Sequence, residues 1–183
     1  MPKSEKRADQ TEDKQAARRK VILAAALECF LQYGFAKTSL DDIAKRAQLS
    51  RPLLYLLFKN KEELFLATLR GMYQADIDGA RSLLALRLSK KERLLQLYEE
   101  LIIKPWTRIY KAPRGTEFIE HCRRYFPQLD KEYEKAALKL LMPIFEDKEA
   151  AVVFMLCVDG LYSDNPTPTV LRKRIRILIE RFL

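Results

Sequence analysis

Residues 50–65 read SRPLLYLLFKNKEELF, and they raise the question of why a short helix should open on a proline and carry leucines all round with a tyrosine between them. Pro52 in a first turn costs nothing, because the N–H it lacks has no intrahelical partner there; Ser50-Arg51-Pro52 therefore marks a helix start. The pattern predicts a helix over residues 51–58, roughly 12 Å long and too short to persist unless it docks on neighbours. With successive side chains about 100° apart, Leu54 and Phe58 share one face, Leu57 lies at its edge, and these anchor it. Arg51, Pro52, Leu53, Tyr55 and Leu56 remain on the other arc, an apolar and basic flank that the domain leaves uncovered.

The neighbouring segments supply what the short helix docks on. Upstream, Val21, Ile22, Ala25, Ala26, Cys29, Phe30 and Tyr33 recur at three- and four-residue steps, which predicts an amphipathic helix from Lys14 to Tyr33 ended by Gly34. Thr38 and Ser39 follow as caps, with Asp41 and Asp42 in the first turn of a second helix over residues 40–47, where the helix dipole favours negative charge. A fourth helix begins near Lys61 after Asn60. Three short helices, the later two joined by a tight turn, have the form of a helix-turn-helix, in which the later helix lies in the major groove of DNA.

The whole composition agrees with helices. Of 183 residues 48% are hydrophobic, 32% are charged and only five are glycine, which leaves little turn chemistry for sheets and predicts an all-α chain. Net charge is +9, favouring an anionic partner, nucleic acid first and an anionic membrane surface second. The charge is spread: residues 1–65 carry 13 basic against 9 acidic side chains, so it does not mark out a binding domain. Cys29, Cys122 and Cys157 sit far apart in apolar patterns and are expected as buried reduced thiols, in keeping with a reducing cytoplasm. No opening stretch resembles a signal peptide, and no apolar run is long enough for a membrane span.

The stretch from Ile22 to Phe65 resembles the N-terminal domain of the tetracycline-repressor-like (TetR) family of bacterial transcriptional regulators. The resemblance rests on Phe30 with Gly34-Phe35, Thr38-Ser39, Asp42-Ile43-Ala44, Ala47 with Leu49-Ser50, Leu54-Tyr55, Phe58-Lys59 and Lys61-Glu62-Glu63-Leu64. It implies a homodimeric repressor that binds a palindromic double-stranded DNA operator and is released by a small-molecule effector. It also implies roles. Tyr55 places its hydroxyl on a phosphate, Lys59 and Lys61 hold the backbone, Thr38 or Ser39 donates at the second helix, and Arg51 with Pro52, Leu53 and Leu56 faces the bases. Phosphate contacts fix register and groove contacts carry sequence information. Because leucines reach only thymine methyls, Arg51 is the main candidate for guanine. The chain departs from the family at Gln48, where glycine is usual, at Leu53 and Leu57, which replace hydroxyl-bearing residues, and at Asp41, where many relatives have a basic or polar residue.

The expected organisation is a flexible tail over 1–13, a helix-turn-helix domain over 14–60 and a helical effector-binding and dimerisation domain over 61–183. In the last, Tyr73, Trp106, Tyr110, Phe118, His121 and Tyr125 are candidates for an effector pocket, since such pockets are mostly apolar with few polar contacts. By position and helical character Val153, Leu156, Leu161, Ile175, Leu178, Ile179 and Phe182 are candidates for the dimer face, with an intramolecular core as the rival. His121-Cys122 has no cluster of ligands to complete a metal site, no cofactor is implied, and no convergent catalytic set suggests an enzyme. Two other readings stay open: a DNA-binding regulator without an effector, and a helical protein-interaction module using Leu53, Tyr55 and Leu56.

Overall fold

The helix boundaries follow the capping chemistry of the sequence. A computed structural model of the chain describes residues 3–145 and 147–183, with side chains from Lys14 onward; of the stretch expected as a tail over 1–13, only the backbone of 3–13 is described, and it belongs to the first helix. Among the described residues the structure is all-α. Helix α1 spans Lys3–Lys37 and is kinked at Gly34, whose φ of 81° and ψ of 164° are not helical. Helix α2 spans Leu40–Arg46, and its start is a capping box: Asp42 N–H donates to Ser39 Oγ at 3.1 Å and Ser39 N–H donates to Asp42 Oδ2 at 3.0 Å. The Ser39 hydroxyl, which donates to Asp42 Oδ2 at 2.5 Å, and then the Ser39 N–H hold the Asp42 carboxyl below its ordinary range.

Helix α3 spans Arg51–Leu57 and α4 spans Lys61–Ser82. Between α2 and α3 the turn puts Gln48 at φ 55°, a left-handed conformation that favours glycine. Before α4, Glu63 N–H donates to Asn60 Oδ1 at 2.8 Å while Glu63 Oε2 accepts from Lys59 N–H at 2.8 Å. The chain divides into two compact units, one ending at Gly71 and the other beginning at Met72. The division falls within α4, whose first turns belong to the first unit. There Leu64 and Phe65 are buried with Ile22, Ala26, Phe30, Ile43, Leu54 and Phe58, and the Phe65 ring stands edge-on to Phe30 and Phe35 at 4.8 and 5.2 Å between centroids. Val21 and Tyr33, expected on the inner face of the first helix, are exposed.

The second unit continues from the end of α4 through a short 3₁₀ turn, Leu83–Ala85. Helix α5, Lys90–Tyr98, starts at a second capping box made by Ser89 and Glu92. It runs through a π-helical stretch, Glu99–Ile103, into α6, Lys104–Tyr110. Pro105 is accommodated in the first turn of α6. It has no N–H to give the Leu101 carbonyl four residues back, and that carbonyl instead accepts the Tyr133 hydroxyl at 2.7 Å. Helices α7 (Gly115–Tyr125), α8 (Pro127–Leu141), α9 (Lys148–Leu161) and α10 (Pro168–Phe182) complete the unit. Its core joins Leu94, Leu97, Leu101, Leu140, Phe154 and Leu171 with Ile175 and Ile179. A Cβ on Gly115 would stand 1.9 Å from the Ile109 carbonyl oxygen, so only glycine fits where α7 starts.

Candidate nucleic-acid interface and internal cavity

On α3 the two faces separate sharply. Leu54 and the cap residue Phe58 are buried in the first unit, while Tyr55 is 53% and Leu56 82% exposed. Arg51 and Pro52 are exposed as well, and Leu53 is half-buried. Leu57, expected at the edge of the anchoring face, is exposed. The flank thus brings Arg51, Pro52, Tyr55 and Leu56 to one solvent-facing surface with the exposed Lys59 just beyond its end. A seven-residue helix is held here by one buried leucine, one phenylalanine and its turns.

Arg51 is engaged already. Its guanidinium stands 2.9 Å from Asp41 Oδ2 at the start of α2, in a solvent-exposed pair. Such pairs contribute only about 0–1 kcal/mol and yield readily to a phosphate or a base.

Two residues assigned to phosphate by resemblance have their polar atoms turned inward. Thr38 is buried, and its hydroxyl lies 2.8 Å from the Gly34 carbonyl and 3.1 Å from that of Cys29; it closes the α1–α2 corner and has no face toward a ligand. Lys61 Nζ donates to the Phe35 carbonyl at 2.8 Å and lies 4.5 Å from the centroid of the Phe35 ring, clamping α4 to the end of α1. Ser39, although exposed, spends its hydroxyl on the capping box with Asp42. Beside them, the Arg19 guanidinium lies over the Phe58 ring at 5.1 Å, so part of the basic surface of α1 also serves packing.

The second unit holds a half-open cavity of about 490 Å³, lined in part by Tyr73, Trp106 and Phe118 from the expected aromatic set. Tyr110 and Tyr125 are exposed and do not line it. His121 also lies outside the lining and packs its ring on Tyr125 at 4.6 Å. Sequence reasoning missed Asp76, Tyr98, Tyr133, Asp159 and Tyr162, all of which do line it. Tyr73 donates to Asp130 Oδ1 at 2.7 Å, and the Trp106 indole N–H donates to the Pro166 carbonyl at 2.9 Å. Burial pushes the Tyr73, Tyr98, Tyr133 and Tyr162 hydroxyls well above the ordinary tyrosine range. It raises Asp76 to about 6, with Glu100 adding to the shift and Arg108 opposing it.

The expected dimer face divides in two. Ile175 and Ile179 are buried in the core of their own unit, and Leu161 and Leu178 are half-buried against it. Phe182 meets Phe154 edge-on at 5.1 Å. Val153 and Leu156 do face solvent, joined on α9 at helical spacing by Cys157 and Gly160. On α10 the exposed apolar residues are Val170, Ile177 and the expected Phe182. Cys157 is an exposed thiol, unlike the buried Cys29 and Cys122, which corrects the expectation for it. Among the described residues no cluster of His, Cys, Asp and Glu could hold a metal ion, and no helix is long and apolar enough to cross a membrane.

Comparison with known proteins agrees with the geometry of the first unit. Residues 22–68 match the family described as bacterial regulatory proteins, tetR family. The HTH-type transcriptional activator FasR of Mycolicibacterium smegmatis is 38% identical over 77 residues, 42% of this chain and 35% of FasR. The HTH-type transcriptional repressor NicS of Pseudomonas putida is 28% identical over 151 residues, covering 77% of this chain and 68% of NicS. The chain thus spans about a third of the length of FasR, and the family match lies within the first unit. Among solved structures, a TetR family transcription regulator from Marinobacter aquaeolei shares the fold with a TM-score of 0.66 at 20% identity, covering 93% of this chain and 96% of that one. SmeT, the repressor of the Stenotrophomonas maltophilia multidrug efflux pump SmeDEF, shares it with a TM-score of 0.57 at 21% identity, covering 90% and 88%.

Proposed function

We propose, from an N-terminal unit that is a helix-turn-helix domain of the tetR family, that this chain is a cytoplasmic transcriptional repressor that binds a two-fold symmetric DNA site as a homodimer and leaves it when a small molecule occupies the second unit. The observation that carries the reading is the exposed flank of α3. A helix that buries Leu54 and Phe58 and leaves Arg51, Pro52, Tyr55 and Leu56 to solvent has the shape and chemistry to enter a major groove. Arg51 leaves Asp41 to reach a guanine edge, Leu56 meets a thymine methyl, and Tyr55 and Lys59 take flanking phosphates.

Dimerisation uses the exposed α9 and α10 residues Val153, Leu156, Val170 and Ile177 rather than the buried Ile175 and Ile179. It presents two α3 helices to successive grooves, about 34–36 Å or a multiple apart. Effector control is population shift: a ligand that prefers the conformer unable to span both half-sites lowers operator affinity by roughly 5- to 150-fold.

Selection of bound sequences from a random duplex pool tests the reading. The expected result is a two-fold symmetric consensus, with binding that weakens by about 0.9 log units per log unit of salt for each phosphate neutralised. Failure to enrich any sequence, with affinity indifferent to salt, overturns it in favour of a protein-interaction surface on α3.

A further inference from the structure

The cavity of the second unit is acidic in a chain that is basic. Its described charged wall residues are Asp76, Asp130, Glu134 and Asp159 against Arg123, although the whole chain carries +9. Two of these carboxylates are occupied: Asp130 accepts the Tyr73 hydroxyl, and Asp159 Oδ1 accepts the Tyr162 hydroxyl at 2.8 Å. Asp76 differs from them. It lies on the buried Met72, Asp76, Ala80 stripe of α4, is 9% exposed, and among the described residues its Oδ2 has no hydrogen-bond partner. The Tyr98 hydroxyl, on the same wall, also has none.

A carboxylate taken from water without a donor is costly, and interiors retain one only where something offsets it. No described side chain forms an ion pair with Asp76; Arg108 opposes its raised pKa only through its field. The donor must come from outside. The other walls indicate its charge: Trp106 and Tyr162 rings lie 5.9 Å apart, and Tyr73 and Tyr133 4.7 Å apart, and aromatic faces attract cations. The same acidic field repels an anion. The volume suits a drug-sized molecule, since ligand pockets run about 300–1,000 Å³.

We propose that the cavity takes a lipophilic organic amine in its protonated form, its ammonium group donating to Asp76 Oδ2 and its apolar body held by the aromatic walls. The proposal deepens the effector reading by naming the ligand's chemical class and rests on it. Asp76 is then the residue that selects a cation over a neutral or acidic analogue of equal shape.

Trp106 is the one tryptophan of the sequence and lines the cavity, so its fluorescence reports occupancy in the full-length protein. The probes are a matched series: 4-phenylbutylamine, 4-phenylbutanol and 4-phenylbutyric acid. The amine is expected to bind about 10- to 100-fold more tightly than the alcohol, the increment of one charge-assisted hydrogen bond, with the acid weakest. Asp76→Asn, isosteric and with its folding checked by circular dichroism, is expected to bring the amine down to the alcohol's affinity and leave the alcohol's unchanged. Equal binding of amine and alcohol, an amine preference that survives Asp76→Asn, or no saturable response to the amine overturns the proposal. The effector reading is judged separately on operator DNA. If the amine binds through Asp76 and the DNA stays bound, the cation site stands and the effector reading fails; if the alcohol or the acid releases DNA with no preference for the amine, the reverse holds.

Discussion

Asp41 opens α2 with a carboxylate that sits against the guanidinium proposed to read a base. The pair is exposed and weak, so it restrains Arg51 without fixing it, while placing a negative charge beside incoming phosphates. Asp41→Asn should therefore raise affinity for duplex DNA by about three- to tenfold at fixed salt, with the larger gain on unrelated sequence, as fluorescence anisotropy would record. Asp76 acts through burial. Its folded pKa is about 6 against an ordinary 3.8, so the folded state binds more protons between those values, and its contribution to stability falls as pH rises through that window. The groups bearing on it are Glu100, Arg108 and Tyr133, of which Glu100 adds to the shift and Arg108 opposes it. Asp76→Asn should accordingly raise stability at pH 7 by about 1–3 kcal/mol and remove its share of the loss between pH 4 and 6, measured by denaturant titration at each pH. A cavity residue whose removal stabilises the fold is what a binding function retained against stability would look like.

At the scale of elements, the local signals were legible and the tertiary ones were not. The starts of α2, α3 and α5 are written in Ser39-Asp42, Pro52 and Ser89-Glu92, whose partners lie within three residues, so sequence reasoning could reach them. The same reasoning placed Leu54 and Phe58 on the buried face of α3. It failed where a polar atom's partner is remote. The inward turn of Thr38 depends on the carbonyls at the kink of α1, and that of Lys61 depends on Phe35, 26 residues away. Likewise the helix survives Pro105 because Tyr133, 32 residues from Leu101, takes the freed carbonyl. The cavity left one signal in the sequence, a carboxylate at the four-residue spacing of Met72 and Ala80; nothing local tells that Tyr98, Tyr133 and Tyr162 meet around it. Two glycine-related tests follow. Gln48→Gly should stabilise the turn between α2 and α3 by about 0.5–1 kcal/mol by relieving its positive φ, seen as a higher Tm. Gly115→Ala should destabilise the second unit by about 1–3 kcal/mol or more, because its new methyl meets the Ile109 carbonyl.

For the whole molecule, the proposed function requires two copies of α3, and the face proposed to pair them is not the most hydrophobic one. Periodicity along α10 picks out Ile175 and Ile179, but those fill the unit's own core; the apolar residues left to solvent are Val170, Ile177 and Phe182, with Val153 and Leu156 on α9. A 3.6-residue period cannot tell which of two apolar faces turns inward. Leu156→Glu should leave each protomer folded while shifting sedimentation from dimer toward monomer, and it should weaken a two-half-site operator far more than a single half-site. The account as a whole rests on the free flank of α3 lying in a DNA groove. Leu56, 82% exposed, adds little to folding, so Leu56→Glu changes that flank and leaves the core alone. Its affinity for the selected duplex, measured by anisotropy against the unaltered chain at one salt concentration, should fall at least about tenfold with an unchanged Tm, because a carboxylate enters the field of the phosphates; equal affinity in the two proteins would contradict the account.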